Sequence, residues 1–265
     1  MNAINSCDPS FNLDYSVRPK VTRLSGPVKK VLLVGNSLMF YNCGVSSFLQ
    51  GFAKAANRKL EVTMVGIGGA GLYWHDVKSY LRPNGLRSYR ITAENKFEFI
   101  DYPDGKIFDA VLMVDSTQGP IHPELCELFR QFALQHTQTV KASGADPLLM
   151  ISWGYSDRPG MTRALADSIV AVANECACPA VPCGIAFERA QRQRPSLALI
   201  RTDRRHPTVA GSYLEAAVFF ASLFETSPEG LPYYGRFDDL TVTEDEAAFL
   251  QKIAWETVRD FNGWQ

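Results

Sequence analysis

The segment Lys29-Lys-Val-Leu-Leu-Val-Gly-Asn-Ser-Leu38 restricts the fold more than any other ten residues. Its apolar run is short, rich in Val and Leu, and stops abruptly at Gly35-Asn36-Ser37. A strand buried on both faces reads as a continuous apolar run, and such strands belong to parallel sheets. The pattern predicts a first strand over residues 31–34, with small polar side chains on a turn at its carboxyl end. In open α/β sheets that edge is where ligands and chemistry gather.

The same alternation continues downstream. A helix over residues 45–56 presents Phe48, Leu49 and Phe52 on one face. Strands follow over residues 60–65, 109–114 and 147–152, with a short fifth over 180–183. Helices are expected over 124–139, where Leu125, Leu128, Phe129, Phe132 and Ala133 form a stripe, and over 162–175 and 186–194. The polar tract 82–106, punctuated by Pro and Gly, predicts a hairpin or loop. Tyr213, Ala217, Phe220 and Phe224 fall at helical spacing and mark a packed helix over 211–224. A last helix starts at the capping-box pattern Thr243-Glu-Asp-Glu246 and runs to about residue 258. Strands alternating with helices imply a three-layer α/β/α sandwich on a roughly five-stranded parallel sheet, flavodoxin-like in topology. With no repeat, low-complexity tract or linker composition, residues 29–265 read as one domain. Residues 1–28, polar and carrying Pro9, Pro19 and Pro27, read as an irregular arm.

Composition narrows the partners. A formal net charge of −1 removes any general electrostatic case for nucleic acid or membrane surfaces. No stretch of about 18 apolar residues could span a bilayer, and the N-terminus lacks the architecture of a signal peptide. The six cysteines (7, 43, 126, 176, 178 and 183) form no Cys-x-x-Cys pair, and Cys176-Ala-Cys178 suits neither a zinc knuckle nor a local disulfide. Free thiols in a reducing cytoplasm are expected. Arginines cluster at 189, 192 and 194 and again at 201, 204 and 205. A solvated face is the ordinary reading; the alternative is that they meet an anionic substrate.

A serine hydroxyl is a weak nucleophile at neutral pH and needs a base. Asp203-Arg-Arg-His206 offers one: of the four histidines, only His206 has a carboxylate three residues upstream. Pro207 pushes His206 away from helical backbone, onto an extended or turn conformation just before a helix. From there Asp203 can reach Nδ1–H, fix the tautomer and support the imidazolium formed when Nε2 takes the serine proton.

Taken together, Gly35-Asn36-Ser37-Leu38, Gly68-Gly69-Ala70 and Asp203-Arg-Arg-His206-Pro207 with Gly211-Ser-Tyr-Leu214 resemble the SGNH, or GDSL-type, serine hydrolases, in the branch carrying Gly-Asn-Ser. Ile151-Ser-Trp153-Gly and Val181-Pro-Cys-Gly184-Ile-Ala-Phe187 are similar to that branch as well, so the resemblance runs from about residue 30 to residue 224. It implies Ser37 as nucleophile, His206 as base, Asp203 as its orienter, and the Gly69 backbone N–H as an oxyanion donor. It implies carboxylic ester hydrolysis through an acyl-enzyme, with no metal or organic cofactor and a small-molecule ester as partner. The same acyl-enzyme could instead pass its acyl group to an alcohol.

One block departs from the pattern. Where relatives place Gly-x-Asn-Asp, this chain has Asp115-Ser116-Thr117-Gln118. The missing asparagine donates to the oxyanion; Ser116, Thr117 or Gln118 could take that role. Losing such a donor costs roughly 100- to 1,000-fold in turnover. We read Asn36, Trp74 and Trp153 as substrate-facing, with Tyr73 and Tyr155 at the same edge. His75 with Asp76 is a distant second base; helix-start hydrogen bonding is the expected use of that pair. Gly66-Ile-Gly68-Gly-Ala-Gly71 also satisfies a dinucleotide fingerprint, but it follows the second strand, and only Glu94 stands near the position of the ribose-binding acid.

Overall fold

The computed structural model describes residues 16–86, 88–91, 96–100, 106–236 and 239–265. In chain order these form β1 (Lys30–Gly35), α1 (Ser37–Phe40), α2 (Val45–Ala55), β2 (Glu61–Gly66), α3 (Val77–Tyr80), β3 (Ser88–Ile91) and β4 (Phe97–Ile100). There follow β5 (Ala110–Met113), α4 (Cys126–Ala142), β6 (Asp146–Met150), α5 (Met161–Glu175), β7 (Ala180–Val181), α6 (Cys183–Gln193), α7 (Val209–Phe224) and α8 (Glu244–Asn262).

Five strands pair in the order β2-β1-β5-β6-β7, every pair parallel. This is the flavodoxin-like order with a hairpin inserted before the third sheet strand. That hairpin is β3 against β4, antiparallel with Ser88 opposite Ile100, within the tract expected to hold a hairpin or loop. Alternate residues of β1 feed two cores. Val31 and Leu33 join Phe48 and Phe52 of α2, Phe219 of α7 and Leu250 of α8. Leu32 and Val34 join Phe129 of α4 and Leu165 and Ile169 of α5. Both faces of β1 are covered, which is why its run carries no polar alternation. Each such fully buried side chain contributes roughly 1.5–3 kcal/mol.

Several boundaries differ from expectation. β7 has two residues and α6 already starts at Cys183, because Pro182 has no N–H to continue the ladder. Gly184 N–H instead donates to Ile151 carbonyl at 2.8 Å. α7 begins at Val209, where Thr208 Oγ1 caps it by accepting from Gly211 N–H. α8 has the expected capping box but continues past residue 258, since Phe261 extends its buried stripe to the left-handed cap at Gly263. α1, a single turn carrying Ser37, has no periodic signature. Of the N-terminal arm, residues 16–28 form no helix or strand. Asp167 accepts from the Ser16 and Val17 N–H groups and Asp146 from Ser25, so this segment is fastened to α5 and β6. Cys7, Pro9 and Glu94 lie outside the described residues. The five described cysteines are free, and no described helix is long and apolar enough to cross a membrane.

The chain leaves β1 toward β2 on one side and returns to β5 on the other, opening a crevice at the carboxyl ends of β1 and β5. A Cβ at Gly35 would overlap the Val114 side chain and Met39 Sδ, so glycine lets β1 turn sharply into α1 there. The glycine-bearing loop after β2 is held from beneath at Leu72. Its N–H donates to Asp115 Oδ2 at 2.7 Å, and its carbonyl lies 3.0 Å from His136 Nε2. Asp115 and His136 are both buried. Burial pushes the Asp115 carboxyl up from 3.8 to about 6, against the opposing pull of the Leu72 N–H and the Ser116 hydroxyl.

Asp115→Asn keeps an acceptor for Leu72 and removes this titration. Since the folded carboxyl titrates above its unfolded value, the folded chain binds more protons between about pH 4 and about pH 6. Its contribution to stability therefore falls as pH rises through that window, and the cost stands in full above it. Urea midpoints should show the variant gaining on the parent between about pH 4 and about pH 7, by on the order of 3 kcal/mol at most. A pH-independent difference would refute the assignment.

Candidate functional site

Two segments far apart in sequence meet above the crevice. On the first, Asn36 caps α1 in extended backbone, with its Oδ1 accepting from Leu38 N–H at 3.1 Å. Its Nδ2 donates to the Ala70 carbonyl at 2.8 Å and the Asp115 carbonyl at 3.1 Å. Asn36 is buried and fully engaged. The expectation that it faces substrate is therefore corrected: it ties the ends of β1, β5 and the glycine loop together. Ser37 follows as the first residue of α1, where its N–H lies outside the helical ladder.

The second segment lies between α6 and α7. Asp203 Oδ1 accepts from the N–H groups of Arg205 and His206, each at 2.9 Å. Asp203 Oδ2 stands 3.0 Å from His206 Nδ1, and His206 Nε2 stands 2.9 Å from Ser37 Oγ. The carboxylate selects the Nδ1–H tautomer, leaving the Nε2 lone pair to accept from the serine hydroxyl. Partial burial works to raise the Asp203 carboxyl. The two backbone donors and the imidazole outweigh it and hold the group at about 2. Ser37, His206 and Asp203, named from sequence, thus form one hydrogen-bonded chain.

The His206 loop is fastened at several points. Arg201 N–H donates to the His206 carbonyl, and Trp153 Nε1–H to the Arg205 carbonyl, both at 2.8 Å. Trp153 is only 1% exposed and stacks on Phe187 with centroids 4.0 Å apart. The expectation that it lines the substrate site is corrected: its ring is core and its N–H positions the loop. Sequence reasoning missed two further residues. Asn42 Nδ2 donates to the carbonyls of Pro207 and Thr208 and to Ser212 Oγ, bridging the serine segment to the histidine segment. Tyr41 stacks on the His206 ring at 4.0 Å with 8° between planes. Their one sequence signal was proximity to Ser37.

Around this chain the other named residues divide. Gly69 is exposed in left-handed backbone at φ +74°, and among the described residues its N–H has no hydrogen-bond partner. Ser116 Oγ is occupied, donating to Asp115 Oδ1 and accepting from Gly119 N–H. The side chains of Thr117, buried, and Gln118, exposed, have no partner among the described residues. Trp74 is 55% exposed and set edge-on to Tyr73. Gln118 and Tyr155, with Ile121, His122, Arg158 and Met161, line a cavity of about 680 Å³.

The rival constellations come apart. His75 is buried with Nδ1 3.4 Å from the Tyr80 hydroxyl, and burial holds its imidazole below the ordinary value. Asp76 caps α3 by accepting from Ser79 N–H at 3.1 Å, the helix-start role expected of it. After Gly66, Gly68 and Gly71 come one turn at Leu72–Trp74 and the four-residue α3. A dinucleotide fingerprint needs a long helix whose N-terminus meets the pyrophosphate, and the loop does not open one.

No family model and no curated protein matches the sequence. Solved structures do match its fold. A DUF4886 family protein from Bacteroides uniformis is similar over 86% of this chain and 94% of its own, at 16% identity and a TM-score of 0.61. A putative SGNH hydrolase from Slackia heliotrinireducens is similar over 73% and 98%, at 20% identity and a TM-score of 0.52. The acetylxylan esterase Axe2 from Geobacillus stearothermophilus is similar over 77% and 97%, at 16% identity and a TM-score of 0.51. Motifs and topology agree, and the chain has the α/β fold of the SGNH/GDSL hydrolases.

Proposed function

We propose that this protein is a serine esterase hydrolysing a carboxylic ester of short acyl chain through an acyl-enzyme on Ser37. The observation that carries the proposal is the unbroken chain from Ser37 Oγ through His206 to Asp203, with links of 2.9 and 3.0 Å. His206 Nε2 takes the hydroxyl proton as Ser37 Oγ attacks the ester carbonyl. The N–H groups of Ser37 and Gly69, with Thr117 or Gln118 in place of the asparagine, receive the developing oxyanion. Collapse of the tetrahedral species expels the alcohol, which takes the proton from His206. Water, deprotonated by the same imidazole, then releases the acid. Throughout, Asp203 remains ionised and supports the imidazolium.

The mixed lining of the cavity that holds Gln118 and Tyr155 supports a short or polar acyl group over a long apolar one. The acetyl group in the name of the similar acetylxylan esterase agrees with this. Water is the acceptor in this reading, and the 42% exposure of the Asp203 side chain means that solvent reaches the triad.

Ser37→Ala should abolish turnover of p-nitrophenyl acetate and labelling by a fluorophosphonate, with circular dichroism unchanged; in the parent, mass spectrometry should find the label on Ser37. Retained turnover would sink the proposal. Asp203→Asn should lower kcat by roughly 10⁴-fold, the loss known for a triad left in the wrong tautomer; a loss under tenfold would reduce the aspartate to loop structure. Tyr41→Leu removes the face packed on the imidazole, and Tyr41→Phe keeps it. An aromatic pair is worth about 0.5–1.5 kcal/mol, so the leucine variant should lose up to about tenfold in kcat and the phenylalanine variant almost nothing. Equal losses would point to the hydroxyl instead.

A further inference from the structure

The two arginine clusters have different fates. Arg189 is buried against Asp260 at 2.9 Å and Glu256 at 3.6 Å, Arg192 pairs with Glu188, and Arg194 pairs with Asp245 at 2.7 Å. Each has a carboxylate partner: Arg189 and Arg194 tie the α6 end to α8, and Arg192 pairs within α6.

The second cluster rims the proposed active site. Residues 153–162 and 199–207 hold four arginines (158, 201, 204 and 205) against two aspartates (157 and 203). Both aspartates are taken: Asp157 by Arg204 at 2.8 Å, and Asp203 by His206 and two backbone N–H groups. Arg158, Arg201 and Arg205 are exposed and have no carboxylate partner among the described residues. Two of them are nevertheless held in place. The Arg205 guanidinium lies over the Tyr155 ring at 5.3 Å, and that of Arg201 over Tyr41 at 5.7 Å. Tyr155 and Arg158 line the 680 Å³ cavity, and Tyr41 stacks on His206.

A solvated arginine gains nothing from being fixed. A guanidinium laid on an aromatic face is oriented by about 0.5–1 kcal/mol while its N–H edges stay free for a planar oxyacid, which it grips in bidentate fashion. With a net charge of −1 over the whole chain, this positive rim is a local feature and not a property of the protein's average surface.

We infer that the substrate is an ester bearing an anionic oxyacid group, held in the cavity beside Tyr155 by Arg205 and Arg158. The inference rests on the esterase reading above and adds the substrate's charge. Arg201, behind Tyr41, adds to the field that draws such an ester toward His206.

Two matched pairs of esters test it and locate the anion. p-Nitrophenyl hydrogen adipate against its methyl ester places the charge on the acyl side. 4-Acetoxybenzoate against 4-acetoxybenzamide places it on the alcohol side. With each rate normalised to spontaneous hydrolysis, the anionic member of one pair should exceed its neutral partner in kcat/KM by about tenfold or more, the scale of one charged hydrogen bond. Arg205→Ala and Arg158→Ala should each pull that ratio toward unity, and Arg205→Lys should keep part of it. Arg194→Ala, which removes the same charge elsewhere, should leave the ratio as in the parent. Salt at about 0.5 M should compress it. Ratios at or below one in both pairs, or ratios unmoved by both the Arg205 and the Arg158 variants, would overturn the inference while neutral-ester turnover kept the esterase reading intact. Absence of turnover on every ester, with Ser37 unlabelled, would instead overturn the esterase reading.

Discussion

The site exists because the amide of Asn42 closes a gap of 169 residues. Ser37 leaves the sheet on β1, and His206 arrives on a loop that has no strand of its own. Asn42, five residues beyond the serine, donates to Pro207, Thr208 and Ser212, so the serine segment and the start of α7 are held together directly. Trp153 secures the same loop from the end of β6 through the Arg205 carbonyl. A hydrogen bond of 2.9 Å between a hydroxyl and an imidazole tolerates little drift, and side chains on a loop keep such a distance only when the loop's own backbone is tied. Everything proposed for the chemistry depends on those ties.

Beneath the glycine loop a second set of polar contacts plays the same part. Both polar groups of the Leu72 peptide are matched by buried side chains, Asp115 and His136, and Asn36 reaches Ala70 from the other side. Buried polar groups are costly unless paired, and once paired they fix one arrangement of the backbone. Burial raises the Asp115 carboxyl and lowers both His75 and His136, so the groups under the loop carry less charge than their exposed counterparts would. The departure of Asp115-Ser116-Thr117-Gln118 from the pattern of the hydrolases the chain resembles has a structural meaning here. The aspartate serves the loop, the first hydroxyl closes a turn, and the last two side chains have no partner among the described residues.

Much of this was legible in the residues themselves, for identifiable reasons. The strand ending in Gly35-Asn36-Ser37 was readable because a strand buried on both faces must be apolar at every position. The histidine was readable because an aspartate three residues upstream and a proline immediately after it define a local geometry that needs no tertiary knowledge. The aromatic residues were read less well. Trp153 looked like a pocket wall because its position at the sheet edge is a property of sequence order. That its ring points inward onto Phe187 depends on α6, which starts earlier than its pattern suggested. Asn36 looked like part of a binding surface for the same reason, and became an internal tie once three loop ends converged on it.

Sequence alone determined the alternation of strands and helices, the parallel sheet, and the identity of the serine, histidine and aspartate that meet. The strands and helices follow from hydrophobic periodicity, which is written locally in the chain; the serine, histidine and aspartate follow from short motifs together with the family resemblance those motifs carry. Only tertiary structure decided which arginines keep a free guanidinium, which tyrosine stacks on the imidazole, and which glycine keeps an unpaired N–H. Most of these depend on groups dozens to more than a hundred residues away, and charge pairing, ring stacking and burial act between atoms brought together in space, whatever their separation along the chain.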